Sequence, residues 1–387
     1  MSNRTNKQPV NRREFLTRVS GSAIGAGVGL SLLRDGAAAA ASAAKLEKRN
    51  EQSGMIYRPF GKTGLNVSRL TFGCIRLTDD RLPALEMAVE RGVNLVHVSN
   101  GYVKGQSIVS LGKFLQKPSN REKVWVALKG IDGRGLFDNI DGQLKTLNTD
   151  HVDIYCNPVS KPDLIRSEAE LAKFEALKKA GKVRFLNLTS HANVQESMET
   201  SLSVDRYSSI LVTLDLSNVA GLKATIQNAG KSNVAVMAMK SERNKKAGGP
   251  DKIVPALFAA GVTTVLKTLN TADEVNAWFD AVMKAPQETA GLPAECQVAS
   301  AEGLCTLCGV CVGCPNGVDI QSVVRNYTYY YEQQRLPDVA AERYGELRVN
   351  ETALSCGDCG RCEEVCPMGV PVRRIIREAH ARLGTMA

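Results

Sequence analysis

The sequence predicts a (β/α)8 TIM barrel of the α/β class, followed by a small, mostly helical domain. From residue 55 to about 285, eight short β-rich runs alternate with amphipathic segments, the pattern of a parallel sheet wrapped by helices. Beyond a Pro-, Gly- and Ala-rich linker at roughly 285–301, eight of the eleven cysteines fall in two short runs. A doubly wound open sheet is the alternative for the first region, but eight near-regular repeats favour closure.

The predicted strands are short runs that are rich in β-branched residues. They are 69–73, 94–99, 124–129, 152–156, 183–188, 209–214, 234–239 and 263–267. The clearest helices, with apolar residues at three- and four-residue spacing, are 82–91, 107–115, 135–147, 167–180 and 272–283. Gly92, Gly181 and Gly261 each precede a strand, as glycines that end helices do.

The cysteine runs predict iron–sulfur clusters. They are Cys305, Cys308, Cys311 and Cys314, followed by Pro315, and Cys356, Cys359, Cys362 and Cys366, followed by Pro367. The second run has the bacterial ferredoxin spacing, and the first is one residue short before its fourth cysteine. Structural zinc more often uses two separated pairs, and a chain of this size needs no disulfide framework. We therefore expect two 4Fe-4S clusters and single-electron transfer.

The first 44 residues have the three-part layout of an export signal. Arg12 and Arg13 precede an uncharged Gly/Ala-rich stretch, and an alanine run extends to Ala44. The arginine pair is typical of export by the twin-arginine machinery. The apolar stretch spans roughly 15 residues, fewer than the ~20 of a membrane-spanning helix. We expect cleavage after Ala43 or Ala44, a periplasmic protein and no stable membrane span.

The charge balance gives no sign of a nucleic-acid partner. The formal net charge is +9, of which residues 1–44 carry +4 and the remainder +5. Each cluster with its thiolates would add about −2, which leaves the mature protein almost neutral. Aromatic residues are not interleaved with basic ones on any predicted face. We therefore expect no nucleic-acid partner.

The barrel region resembles the aldo-keto reductases. Segment 57–70 is similar to that family's N-terminal hairpin and first strand, with further similarity at 182–185, Ser190-His191 and 236–240. The resemblance covers residues 55–285. Together with the cysteine-rich tail, the layout resembles a bacterial branch of the family that carries a ferredoxin-like domain. It implies hydride transfer from NADPH to a carbonyl, with a tyrosine as the proton donor and a lysine, an aspartate and a histidine assisting it.

The resemblance carries over to this chain only in part. Tyr102 matches the proton donor and Lys129 matches the lysine. His97 stands where the family has its aspartate, so the ion pair with the lysine is lost. Asn157 falls near the family's histidine position, and Pro158 takes that place if the alignment has a one-residue gap. The expected catalytic set is therefore altered at two of its four positions.

The implied NADP(H) site is also weak. It would consist of Ser190, Lys267 and Asn270, and Lys267 stands where the family often has an arginine that holds the adenosine phosphate. A lysine can replace that guanidinium only as a point charge.

Five cations at strand ends predict a basic barrel mouth, because active sites of such barrels lie at that face. They are His97, Lys129, His191, Lys240 and Lys267. An anionic substrate or cofactor is one interpretation, and a barrel that has lost its old reaction is the other.

The tail resembles the helical ferredoxin type found in reductase subunits. The 41 residues between Cys314 and Cys356 predict helices at 320–335 and 340–347. The first carries Tyr327, Tyr329, Tyr330 and Tyr331, which we expect to pack against the barrel. In such domains the fourth cysteine of each run serves the other cluster. The resemblance therefore implies one set of Cys305, Cys308, Cys311 and Cys366, and another of Cys356, Cys359, Cys362 and Cys314.

Three functions follow for a chain divided into a signal (1–44), a barrel (55–285) and a ferredoxin-like domain (303–387). The leading hypothesis is an exported iron–sulfur oxidoreductase of the aldo-keto reductase type, which couples one-electron transfer to a small-molecule substrate at the barrel mouth. The second is a non-catalytic electron-transfer or accessory protein with a degenerate barrel. The third is an NADP-dependent carbonyl reductase with a structural cluster tail.

The electron count weighs against the third hypothesis. NADPH delivers two electrons as a hydride, a cluster accepts one, and no flavin motif is evident to bridge the mismatch. We expect a redox partner protein, and an acidic one could dock on the arginines of the last helix. These are Arg373, Arg374, Arg377 and Arg382.

Overall fold

The computed structural model describes residues 46–130, 139–159, 161–191, 193–243, 248–286, 303–305, 310–311 and 313–386. The predicted signal and the predicted cluster ligand Cys308 lie outside these residues. Residues Leu46–Ala387 form one compact unit, in which the barrel and the cysteine-rich tail pack together. Within the described ranges, no helix has the length and apolar character needed to cross a membrane.

Eight parallel strands close into a barrel, which confirms the predicted fold. The strands are β3 (Leu70–Gly73), β4 (Leu95–Ser99), β5 (Trp125–Lys129), β6 (Val152–Asn157), β7 (Val183–Ser190), β8 (Ser209–Thr213), β9 (Ala235–Met239) and β10 (Thr264–Lys267). Strand β10 pairs with both β3 and β9, so the sheet has no open edge. An antiparallel hairpin of β1 (Tyr57–Pro59) and β2 (Asn66–Ser68) precedes the barrel.

Helices connect the strands and surround the barrel. They are α1 (Leu82–Glu90), α2 (Gln106–Leu115), α3 (Pro118–Lys123), α4 (Ile140–Thr146), α5 (Pro162–Ile165), α6 (Glu168–Lys179), α7 (Val194–Val204), α8 (Val219–Lys231), α9 (Pro250–Ala260) and α10 (Ala272–Lys284). The predicted helix at 135–147 begins outside the described residues and is present from Ile140. Gly92, Gly181 and Gly261 have φ of 99°, 72° and 104°, which confirms that they end helices in a conformation that disfavours other residues.

Side-chain alternation along the strands decides what reaches the barrel mouth. Leu95 and Trp125 belong to the cluster that fills the barrel interior, which Phe60 of the hairpin loop also joins. Two and four residues further along the same strands, His97 and Lys129 have the same parity and are buried. The β-structure therefore directs an imidazole and an ammonium into the C-terminal end of the barrel.

The tail is helical, as predicted, and has its own small core. Its helices are α11 (Ile320–Val324), a π-helix (Arg325–Gln333), α12 (Pro337–Gly345), α13 (Arg361–Glu364) and α14 (Val372–Leu383). Buried side chains from α11, α12 and α14 pack together, and partly buried cysteines line the edge of this core.

The tail packs on the C-terminal face of the barrel. Ile75, just beyond β3, packs against the tail core. The Gln321 side chain donates a 3.4 Å hydrogen bond to Asn193, at the start of α7. Helix α12 approaches the turn Tyr102–Gly105 that follows β4. The tail thus covers the face at which barrel active sites lie.

Candidate functional site

Cysteines of both runs line one cavity in the tail. They are Cys311, Cys314, Cys356, Cys359 and Cys362. The Arg361 side chain donates a 3.1 Å hydrogen bond to the Gly313 carbonyl, which joins the two runs. Gly357 lies against Asn316, close enough that a Cβ would come within 2.4 Å of the side-chain amide nitrogen and displace that side chain. Four of these thiols, Cys314 with Cys356, Cys359 and Cys362, are one set implied by the resemblance. Cys311 of the other implied set lines the same cavity, so the assignment of thiols to clusters stays a prediction.

The chain also brings together the ends of the other predicted set. The Gly303 N–H donates a 2.6 Å hydrogen bond to the Met368 carbonyl, which places the segment before Cys305 beside the segment after Cys366. Both cysteines are partly buried against the tail core. Because Cys308 lies outside the described residues, this set stays a prediction. No three His, Cys, Asp or Glu side chains in the described part of the chain are arranged to hold a single metal ion.

A second cavity lies between the barrel mouth and the tail. Its volume is about 1210 Å³, including the part open to solvent. Tyr102 lines it from the barrel, and Tyr329 and Arg335 line it from the tail. Four of the five predicted mouth cations also line it: His97, His191, Lys240 and Lys267. The fifth, Lys129, is buried at the end of β5.

Tyr102 and His97 lie together at this mouth. Their ring centroids are 6.3 Å apart. Tyr102 begins a tight turn in which Val103 and Lys104 both have φ of 51°. A β-branched residue in the left-handed region is a strained arrangement, and such strain is concentrated at functional sites. The turn thus holds the predicted proton donor at the cavity by means of a costly backbone conformation.

Both histidines of the mouth are held neutral. Burial, together with the charge of the nearby Lys129, lowers the pKa of His97 to about 3. Burial, together with Lys240 and other cations, lowers the pKa of His191 well below its ordinary value. Neither His97 Nε2 nor His191 Nδ1 has a hydrogen-bond partner among the described residues. Each imidazole can therefore exchange one hydrogen bond with a ligand without carrying charge.

Asn157 does not join this site. Its side chain donates a 3.1 Å hydrogen bond to the Tyr207 hydroxyl, and Tyr207 belongs to the core between the barrel and the helices. Strand β6 continues through Asn157, one residue past the inward-facing Cys156. Strand parity therefore turns Asn157 toward the helices, and the predicted role at the mouth does not agree with this position.

The residues predicted to hold a nucleotide phosphate are engaged by carboxylates. The Lys267 ammonium forms an ion pair with Glu242. Asn270 donates to Glu274 through its backbone N–H at 2.6 Å and its side chain at 3.0 Å. Ser190 is fully buried, 3.1 Å from the Ser197 hydroxyl. An anionic phosphate at Lys267 and Asn270 would meet two carboxylates, so these residues do not fit the 2′-phosphate of NADP(H) as they stand.

Of the four tail tyrosines, Tyr329 and Tyr330 pack on the mouth as expected, whereas Tyr327 and Tyr331 stack on each other at the tail core. The Lys240 ammonium lies 4.2 Å from the centre of the Tyr329 ring and 5.1 Å from that of Tyr330, within reach of a cation–π interaction. Lys240 also adopts a positive φ of 58°. The π-helix that carries both rings is a rare element that is frequent at functional sites.

Arg243 connects the barrel mouth with the cysteine-rich tail. Its Nε donates to the buried carboxylate of Asp215 at 2.9 Å, and its Nη1 donates to the Cys305 carbonyl at 2.5 Å. Its Nη2 has no partner among the described residues. The side chain is only 4 % exposed and lines the mouth cavity.

Arg243, Arg76 and the tail's Arg335 line the mouth cavity but were not predicted from the sequence. Arg76 follows β3, so the rule that active-site residues lie beyond barrel strand ends could have found it. Arg243 stands four residues beyond β9 and was open to the same rule. Nothing in the sequence pattern placed Arg335 on the barrel, because that contact depends on how the tail docks.

Two family models match the chain. Residues 69–242 match the aldo/keto reductase family, and residues 304–371 match a 4Fe-4S dicluster domain. One chain therefore contains a segment that matches the aldo/keto reductase model and a segment that matches the 4Fe-4S dicluster model. Part of the predicted identity is confirmed, whereas the signal and the export route stay predictions.

Curated relatives agree with the first domain. Aldo-keto reductase YhdN of Bacillus subtilis is 26% identical over 172 residues, which cover 39% of this chain and 51% of that protein. The uncharacterized oxidoreductase YrpG of the same organism is 32% identical over 127 residues, 26% of this chain and 39% of that protein. The chain thus spans about half or less of the length of these relatives.

Solved structures show the same fold. PA4992 of Pseudomonas aeruginosa, assigned as an aldo-keto reductase, has a TM-score of 0.50 at 22% identity and covers 59% of this chain and 94% of its own. The holo form of aldo-keto reductase AKR11C1 of Bacillus halodurans has a TM-score of 0.50 at 20% identity and covers 63% of this chain and 96% of its own.

Proposed function

We propose that this chain is an exported iron–sulfur oxidoreductase of the aldo-keto reductase type, in which the tail and the barrel mouth form one redox site. The observation that carries the proposal is the shared cavity, which Tyr102 lines from the barrel and Tyr329 from the tail. The hydrogen bond from Arg243 to the Cys305 carbonyl supports it, because one side chain touches both the cavity and a predicted cluster ligand. Two bound 4Fe-4S clusters would supply electrons one at a time.

The residues at the mouth have different roles in this proposal. Tyr102 is positioned to give or take a proton at a small-molecule substrate, as its match with the family's donor suggests. Neutral His97 and His191 present one hydrogen-bonding nitrogen each. The tail segment with Tyr329 and Arg335 forms the wall of the cavity opposite the barrel. The thiols around Cys314 would hold one cluster within the same compact unit.

A re-oxidation assay tests this proposal. The anaerobically reconstituted protein is reduced with dithionite, desalted, and mixed with a panel of small aldehydes, ketones and quinones while the cluster absorbance is followed. We expect at least one compound to re-oxidise the clusters faster in the wild type than in Tyr102→Phe. Equal rates in both proteins for every compound would contradict a reaction at the barrel mouth.

A non-catalytic electron-transfer or accessory protein is the second candidate. The observation that favours it is neutral His97 beside Lys129, where an aspartate would have formed an ion pair. Equal re-oxidation rates in the assay above would support this candidate.

Export to the periplasm by the twin-arginine machinery is part of the proposal. Its support is the sequence alone, since Arg12 and Arg13 precede an apolar stretch and an alanine run. A variant with both arginines replaced by lysine tests it by cell fractionation. The account expects the wild type in the periplasm and the double variant in the cytoplasm.

A further inference from the structure

The mouth cavity contains buried polar atoms that lack partners. Among the described residues, no hydrogen bond is made by Arg76 Nε, His191 Nδ1, Ser241 Oγ or Arg243 Nη2, and all four residues line this one cavity. His191, Ser241 and Arg243 are each more than nine-tenths buried. Leaving such groups unsatisfied costs free energy, and the cost is larger for charged groups.

The two arginines determine what kind of group would satisfy these atoms. A guanidinium has only N–H donors and matches a carboxylate or a phosphate group. Arg243 donates Nε to Asp215 and Nη1 to the Cys305 carbonyl, and its Nη2 stays available for a ligand. Arg76, on the loop beyond β3, offers Nε. A negatively charged ligand group with acceptor oxygens therefore suits these donors better than a cation does.

The carboxylates around the cavity do not remove this preference. Glu242 is paired with Lys267, and Glu274 accepts hydrogen bonds from Asn270. Asp215 is fully buried and is paired with Arg243. Lys240 and the tail's Arg335 add two further cations to the lining. The excess of positive charge attracts an anion to the same place at which the unpartnered donors lie.

We infer that the cavity between barrel and tail binds a small carboxylate-bearing molecule, with Arg76 and Arg243 as its principal donors. A carboxylate would be the substrate class of the proposed function. This inference rests on that function, because it takes the barrel mouth as the reaction site. Because Arg243 also holds the Cys305 carbonyl, the bound carboxylate would lie one side chain away from a predicted cluster ligand.

Calorimetric titration of malonate into the oxidised, cluster-loaded protein tests the inference, with uncharged malonamide as the matched probe. We expect malonate to bind, and malonamide to bind at least tenfold more weakly. Arg76→Gln should weaken malonate binding roughly tenfold or more, because a charge-assisted hydrogen bond is lost. Arg206→Gln is the control, since Arg206 is an exposed barrel arginine paired with Glu175 and does not line the cavity.

Each outcome has a meaning. Absence of malonate binding, equal binding of malonamide, or equal losses in Arg76→Gln and Arg206→Gln would overturn the inference. Arg243→Lys gives a second variant that keeps the charge opposite Asp215, and it should also bind malonate more weakly. If malonate does not bind but an uncharged compound re-oxidises the clusters in a Tyr102-dependent way, the carboxylate as substrate class is excluded and the proposed function stands. If malonate binding depends on Arg76 but no compound re-oxidises the clusters, the carboxylate site stands and the proposed function is contradicted.

Discussion

Arg243 of the barrel donates a 2.5 Å hydrogen bond to the carbonyl of Cys305, the first cysteine of the tail. The same guanidinium is fixed at 2.9 Å from the buried Asp215. Asp215 is fixed in turn, because it accepts a 2.8 Å hydrogen bond from the Ser217 N–H. A rigid chain of contacts therefore runs from the barrel loops beyond β8 and β9 to a predicted cluster ligand.

Removing Arg243 should be costly because it strands a buried carboxylate. Arg243→Met is expected to lower the free energy of unfolding by about 3–5 kcal/mol, the usual cost of breaking a buried ion pair. The Arg243→Met, Asp215→Asn double variant should regain much of that loss, since no charge is left uncompensated. Anaerobic urea denaturation measures both. Arg206→Met, which breaks an exposed pair with Glu175, should cost less than about 1 kcal/mol, and an equal loss there would contradict the argument.

Acid should destabilise the protein through the mouth histidines. The pKa of His97 is lowered to about 3 in the folded state, against about 6.5 when unfolded. Between these values only the unfolded chain binds the proton, so stability is full above pH 6.5 and falls as the pH drops. The loss attributable to His97 is about 1.4 kcal/mol per pH unit. Urea denaturation at pH 7.5 and 5.5 should show a smaller acid loss for His97→Gln than for the wild type.

His151 provides a control of opposite sign. Hydrogen bonding to Asp153 raises the pKa of His151, so its protonated form stabilises the folded state at low pH and that contribution fades as the pH rises. His151→Gln should therefore enlarge the acid loss that His97→Gln reduces. The same direction of change in both variants would contradict the assignment.

The interleaved cysteine pairing can be tested by iron content. The single variant Cys314→Ser should lose roughly four irons per chain, and Cys314→Ser with Cys356→Ser should lose no more, because both thiols are assigned to one cluster. Cys305→Ser with Cys356→Ser should lose both clusters. Cys156→Ser is the control, since Cys156 is buried in the barrel interior. Additive losses for Cys314 and Cys356 would show that each run holds its own cluster.

Nucleotide binding should be limited by Glu242. This carboxylate neutralises Lys267, so the wild type is expected to bind NADPH weakly. Glu242→Gln should tighten binding by roughly fivefold, about 1 kcal/mol for an unmasked partly exposed charge. Calorimetry with NADPH measures the change, and Glu175→Gln controls for a general gain of positive charge. Tight wild-type binding, or no effect of Glu242→Gln, would contradict this account of the site.

The sequence predicted more of the fold than of the site. Strand periodicity located all eight barrel strands within two residues, and its position at a strand end placed His97 at the mouth. Asn157 was misplaced because a single residue of strand length reverses the direction of a side chain. Arg335 was missed because its place at the mouth depends on how the tail docks, whereas Arg76 and Arg243 lie just beyond strand ends and were open to the strand-end rule. The pairing of Lys267 with Glu242 was equally hidden, since Lys267 ends β10 and Glu242 lies on the loop after β9.

The reduction potential of the clusters, measured with and without malonate, tests most directly whether the barrel mouth and the tail form one redox site. A charge bound against Arg243 lies next to the Cys305 backbone, and charges and hydrogen bonds near a cluster set its potential. We predict that malonate shifts the potential of one cluster in the wild type and that Arg243→Lys abolishes the shift. An unchanged potential under conditions in which malonate is bound would contradict the account.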